Sequence, residues 1–260
     1  MRLLAVGDVC GSIGCGEVRR ILPRLKKEKN IDMVIINGEN SADGNGVLPE
    51  SADSLFACGA DVITGGNHSL RRKQVYDYLD ENEFVLRPHN LPEAENGKGI
   101  CFVDLGYVTA AVINLSGEIY LEKLGASCPF KAADELIEKA RDAGAKIIAV
   151  DFHAEATSEK RALALYLDGR VSAFFGTHTH VQTADEQILS GGTGYITDLG
   201  MTGPINSVLG VKSEIIINRL KDGDPSKFEL ADGECMLCGC IFDIDIKTGK
   251  TVGIERIAVR

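Results

Sequence analysis

Five short apolar runs alternate with segments of helical period along this chain, and that alternation restricts the fold more than any other feature. The runs are Leu3–Val6, Met33–Ile36, Asp61–Ile63, Lys146–Val150 and Val171–Phe175. The helix-like segments are Glu17–Lys29, Pro49–Cys58, Lys73–Asn82, Ala132–Ala143 and Thr157–Leu167. Val18, Ile21, Leu22 and Leu25 share one face of the first of these, and Pro23 should kink or restart it. Pro49 opens the second and Gly59 stops it. Gly144 and Gly169 end the last two. Strand and helix in turn predict a largely parallel sheet.

Two regions break the alternation. Ile100–Asp104 and Tyr107–Asn114 flank Leu105-Gly106 and read as a hairpin. Glu214–Asn218, Glu234–Asp245 and Thr251–Val259 read as antiparallel strands, the last two joined by Lys247-Thr248-Gly249-Lys250. Such strands would supply a second sheet against the first. The expected architecture is α/β, a two-sheet β-sandwich flanked by helices. Without repeats or linkers, residues 1–260 are expected to form one domain. The irregular stretches Pro88–Gly99 and Ser116–Phe130 read as rims of a pocket.

A net charge of −10 argues against a broad clamp on long nucleic acid, which needs a basic face. It leaves a small phosphate ester open, because bound cations can invert a local field. The N-terminal apolar run is too short for a signal peptide. No stretch approaches the ~20 apolar residues of a membrane helix, so a cytoplasmic location is expected. Cys235-x-x-Cys238-x-Cys240 resembles a metal or redox motif. Cys238 and Cys240 nevertheless fall in an alternating strand, and a second Cys-x-x-Cys pair is absent. The eight cysteines read as structural thiols.

Functional groups in α/β sheets gather beyond the carboxyl ends of strands. Asp8 follows the first run, Glu39-Asn40 the second and Asn67-His68 the third. His153 follows the fourth, and His178 and His180 the fifth. Glycines precede several of them, which allows a tight backbone there. Nitrogen and oxygen donors without cysteine suit hard or borderline divalent ions. His89, in Arg87-Pro88-His89-Asn90, reads as a surface-loop residue or a contact at the pocket rim. Arg71, Arg72 and Lys73 could contact phosphate or simply start an exposed helix.

The ordered set Asp, Glu-Asn, Asn-His, His and His-x-His resembles the calcineurin-like binuclear metallophosphoesterases. More narrowly, it is similar to the bacterial YmdB-type phosphodiesterases. The matching stretches include Gly7-Asp8-Val9-Cys10-Gly11, Asn37-Gly38-Glu39-Asn40 and Gly66-Asn67-His68. Asp151 to Lys160, Gly176 to Asp185 and Thr197 to Pro204 match as well. Most metallophosphoesterases carry Asp-x-His in the first motif and a bridging Asp in the second. Here Asp8-Val9-Cys10 and Glu39-Asn40 stand instead, as in the YmdB-type group. Where that group commonly continues Gly-Asn-His as Thr-Trp-Asp, this chain has Ser69-Leu70-Arg71.

The resemblance implies a four-layer αββα fold and two divalent or mixed-valence metal ions. Asp8, Glu39, Asn40 and His180 would hold one ion; Glu39, Asn67, His153 and His178 would hold the other. Asn40 would replace the missing first-motif histidine. Iron or manganese is favoured, and zinc also suits such ligands. A metal-bound hydroxide would attack the phosphorus, with His68 as general acid. The implied substrate is a small phosphodiester or nucleotide, such as a 2′,3′-cyclic nucleoside monophosphate. A phosphomonoesterase of nucleotidase type and a metal-keeping regulatory protein are the alternatives. The resemblance also raises an RNA-related regulatory role and a homo-oligomer.

Overall fold

A computed structural model of the chain describes residues 1–92 and 96–260. The expected rim 88–99 therefore lies partly outside the described residues. Strands β1 (Arg2–Val6), β2 (Asp8–Val9), β3 (Met33–Asn37) and β4 (Val62–Thr64) come first. A hairpin, β5 (Ile100–Asp104) and β6 (Thr109–Ser116), precedes β7 (Ile147–His153) and β8 (Ala173–Thr177). Three short strands follow: β9 (Gln187–Ile188), β10 (Gly194–Ile196) and β11 (Met201–Pro204). The long pair β12 (Cys235–Ile244) and β13 (Thr251–Val259) ends the chain. The α-helices are α1 (Gly11–Glu28), α2 (Pro49–Ala57), α3 (Tyr76–Glu81), α4 (Pro129–Asp142), α5 (Thr157–Tyr166) and α6 (Ser213–Asp222).

Among the described residues the strands form two sheets. One has the order β2-β11-β12-β1-β3-β4, with β13 on β12; the other runs β5-β6-β7-β8-β10-β9. β1, β3 and β4 are mutually parallel, as are β6, β7, β8 and β10. The alternating segments thus divide between two mixed sheets rather than building one. The C-terminal hairpin β12–β13 joins the first sheet, antiparallel to β1. It does not start a second.

Burial explains the apolar runs. Leu4 and Val6 of β1 pack with Val18, Ile21 and Leu22 of α1 and Leu55 of α2, whereas Leu3 and Ala5 face the other sheet. A strand covered on both faces needs no polar alternation. Between the sheets, Met33, Ile35 and Val62 meet Val112, Ala149 and Phe175. The Phe175 and Phe242 rings lie 6.1 Å apart across that gap. Beyond the second sheet, Ile113, Val150 and Phe152 pack on Leu136 and Ile137 of α4 and Leu163 of α5. The layers are helix, sheet, sheet, helix, as expected. Each fully buried Leu, Ile or Phe adds roughly 1.5–3 kcal/mol of driving force.

Two local expectations differ from the structure. Helix α1 begins at Gly11, six residues before Glu17, and runs through Pro23 without a break. Its first turn approaches β11 so closely that a side chain at Gly14 would meet the Thr202 carbonyl. Segment 214–218 is helix α6, not a strand. The run Ile215-Ile216-Ile217 carries strand propensity, yet a left-handed Gly223 (φ 73°) caps a helix there. No described helix is long and apolar enough to cross a membrane.

Candidate metal centre

The parallel strands of both sheets end at one rim, and every expected donor arrives there. Asp8 lies just past β1, Glu39 and Asn40 just past β3, and Asn67 and His68 just past β4. His153 closes β7, and His178 and His180 follow β8. Ligand atoms of Asp8, Glu39 and His180 lie within 4.8 Å of one another. Nε2 of His180 is 3.8 Å from Asp8 Oδ1 and 3.3 Å from the Asn40 carboxamide nitrogen. A second group sits beside the first. Asn67 Oδ1 is 2.8 Å from His153 Nε2, and His178 Nδ1 is 3.1 Å from both. Glu39 belongs to both groups, since its Oε2 is 3.5 Å from His153 Nε2. Gly66 is required for this approach, because any side chain there would run into the His153 ring.

Outer partners turn the ring lone pairs inward. Thr177 Oγ1 donates to Asp151 Oδ1 at 2.7 Å, so it accepts from His153 Nδ1 at 2.9 Å. Asp151 also accepts from Asn37 Nδ2 at 2.9 Å and from Thr64 Oγ1. His178 Nε2 lies 3.1 Å from the Glu155 carboxylate, and His180 Nδ1 lies 3.2 Å from the Leu209 carbonyl. In each ring the proton sits on the outward nitrogen, which fixes the tautomer. Burial lowers the pKa values of His153 and His178, so both stay neutral. Two nitrogen lone pairs then confront each other across 3.1 Å.

That contact is repulsive by itself and favourable around a cation. Donors about 2.1 Å from an ion and at right angles to one another would be about 3.0 Å apart. Asp8 Oδ1 and Asn40 Oδ1 are buried without a hydrogen-bond partner, which normally carries a desolvation penalty. Burial, with the neighbouring Asp198, Glu39 and Asp151, pushes the Asp8 carboxyl well above its usual range. Burial would also raise Glu39, but the neighbouring His153 imidazole and the His68 hydrogen bonds outweigh it and hold its carboxyl far below the usual range. The donor set and its geometry fit divalent metal ions.

The turn bearing His178 and His180 is held open by residues that the sequence did not single out. Both histidines have left-handed backbone, φ 98° and 63°, which is unfavourable outside glycine. Between them Thr179 donates to Asp198 Oδ2 through its amide (3.2 Å) and its hydroxyl (2.8 Å). The same oxygen accepts from Lys160 Nζ at 2.6 Å, in a fully buried ion pair. Gly200 N donates to the other oxygen at 2.8 Å. Asp198 carries a signal, a charge inside the buried run Tyr195–Leu199 that must find a partner, whereas Lys160, between Glu159 and Arg161, carries none.

A family model described as YmdB-like protein matches residues 4–257. The chain belongs to the YmdB-like family. Over 259 residues it is 49% identical to the 2′,3′-cyclic-nucleotide 2′-phosphodiesterase of Bacillus subtilis, covering 100% of this chain and 97% of that protein. A solved structure of a hypothetical protein from Thermus thermophilus is 39% identical, with TM-score 0.92, and covers 99% of this chain and 98% of that one. A novel phosphatase from Mycoplasma pneumoniae is 35% identical, with TM-score 0.94, covering 100% and 93%. The two-sheet, four-layer architecture that the resemblance implies is the one observed.

In this YmdB-like chain His68 stands beside the donors and lines the same cavity. Its amide donates to Glu39 Oε2 at 2.9 Å, and its Nδ1 is 3.2 Å from Oε1. Ser69 closes the turn beneath it: its hydroxyl accepts from Gly66 N at 2.8 Å and donates to Gly66 O at 2.9 Å. Arg72 donates to the carbonyls of Asn45 and Asp43, tying down the facing loop. His89 does not line the cavity; its Nε2 is 3.7 Å from Glu135 on α4. Cys235, Cys238 and Cys240 are buried and free, and burial raises each thiol, Cys238 to about 11. They are protonated packing residues at neutral pH.

Proposed function

We propose that this chain is a phosphodiesterase that hydrolyses cyclic nucleotides, such as 2′,3′-cyclic nucleoside monophosphates, at a two-cation site. The observation that carries the reading is the pair of inward-facing ring nitrogens 3.1 Å apart, ringed by Asn67, Glu39, Asp8 and His180. The name of the Bacillus subtilis relative supports the substrate class. Asp8, Glu39, Asn40 and His180 would hold one ion, and Glu39, Asn67, His153 and His178 the other. When bound, such ions would supply Lewis acidity, lowering the pKa of an attacking water and neutralising charge on the phosphoryl oxygens.

The chain's own groups do the rest. Asp151, through Thr177, fixes the His153 ring, and Glu155 fixes the His178 ring. His68 gives a proton to the departing ribose oxygen. A ribose alkoxide is a poor leaving group, and such proton transfer is worth about 10²–10⁴ in rate. Breaking the bond to the 2′ oxygen leaves a 3′-phosphate.

Elemental analysis, followed by turnover of 2′,3′-cyclic AMP and an aryl monophosphate in added manganese, iron or zinc, tests the reading. The expected result is two ions per chain, with 3′-AMP as product. Turnover of the monoester alone would instead make the chain a phosphomonoesterase. Glu39→Gln should drop the metal content below one ion per chain, because one carboxylate serves both positions. Retention of both ions with full activity would remove Glu39 from its bridging role.

A further inference from the structure

The cavity in front of the donor cluster is built from two unlike parts. Its volume is about 690 Å3, within the ~300–1,000 Å3 usual for small-molecule sites. One part carries Glu39, Asn40, His68, His178 and His180. The other is apolar: Val208, Leu209, Val211, Ile216, Phe228 and Leu230. All six come from the stretch that runs through α6. The parts meet where His180 Nδ1 donates to the Leu209 carbonyl. Leu209 takes a left-handed backbone (φ 53°) at that point. A phosphoryl group at the donor cluster would therefore have the apolar wall beside it.

Phe228 is the aromatic ring of that described lining, and it is 56% exposed. The Arg219 guanidinium carbon lies 4.2 Å from its ring centroid. Arg219 is in turn tied to the Ser226 carbonyl. One face of the ring is thus covered by a held cation, and the ring is presented as a fixed platform. Stacking on such a platform is open to every base, since each has a π face. The lining also carries a charge signature. Glu39, Asp43, Glu155 and Glu229 contribute to it, and among the described residues no lysine or arginine does. A polynucleotide would bring further phosphates, which need basic side chains to meet them.

We propose that the apolar wall centred on Phe228 is a nucleoside subsite, which takes the base of a single cyclic nucleotide and disfavours a polynucleotide tail. The inference rests on the phosphodiesterase reading for its phosphate but not for its base. Two substrates separate the parts: 2′,3′-cyclic AMP, and methyl riboside 2,3-cyclic phosphate, which has the same ring and no base. Phe228→Ala should raise KM for cyclic AMP about ten-fold at similar kcat, the scale of one lost stack. The base-free ester should keep its KM, and Phe228→Trp should restore the nucleotide. A trinucleotide with a cyclic end should show kcat/KM about ten-fold or more below that of cyclic AMP.

Adenosine, which carries no phosphate, reads the wall without the reaction. By equilibrium dialysis, Phe228→Ala should weaken its binding about ten-fold as well. Loss of all turnover in the wild type, with this adenosine difference intact, would sink the phosphodiesterase reading and keep the subsite. Equal KM changes for both esters would overturn the subsite, as would unchanged adenosine binding. Dissociation of an oligomer by Phe228→Ala, without any change in nucleotide KM, would make the wall a contact between copies and overturn it too.

Discussion

Lys160→Met is expected to destabilise the protein by about 3–5 kcal/mol and to strip the donor cluster of metal in the same step. The ammonium is fully buried, and its partner Asp198 is nearly so. Removing the lysine leaves an uncompensated carboxylate in the interior. That carboxylate anchors Thr179, and Thr179 holds His178 and His180 in backbone they would not otherwise adopt. The expected measurements are a lower melting temperature and weakened metal binding by calorimetry. A double variant separates the two effects. Lys160→Met with Asp198→Asn removes both charges and keeps one carbonyl oxygen for Thr179, so most of the stability and part of the metal affinity should return. Lys160→Met with Asp198→Leu offers Thr179 no acceptor, so stability should return without the metal. Equal metal affinity in the two double variants would show that the anchor does not govern the turn.

The sequence displayed the fold wherever burial was two-sided. The apolar runs of β1, β3, β7 and β8 arise because helices cover one face and a sheet the other. Their polar ends were legible for the same reason, since Asp8, Glu39, His153 and His178 break those apolar runs abruptly. Position and chemistry could be read there, but not the assignment of donors to neighbours. That pairing depends on the two sheets facing each other, which no local pattern encodes. Short strands such as β2 and β10 carry too few residues for a period to show. Helix α6 buries none of its residues, so its sequence shows no apolar face and three consecutive isoleucines outweigh the Gly223 stop. The outer groups Asp151, Thr177, Lys160 and Asp198 lay in plain view. Their roles emerge only from contacts between residues far apart in the chain.

His68→Ala is expected to leave both ions and the fold in place while lowering kcat for 2′,3′-cyclic AMP by about 10²–10⁴. The side chain is absent from both groups of inward-facing donors. The backbone bond from its amide to Glu39 survives the substitution. What disappears is the one histidine lining the described cavity that belongs to neither group of donors. The size of the loss should depend on the leaving group. A ribose oxygen needs a proton as it departs, whereas p-nitrophenolate is stable without one. Turnover of bis-p-nitrophenyl phosphate should therefore fall far less than turnover of the cyclic nucleotide. If both substrates slow equally, or if metal content falls with activity, His68 acts on Glu39 through the 3.2 Å contact of its ring rather than on the departing oxygen.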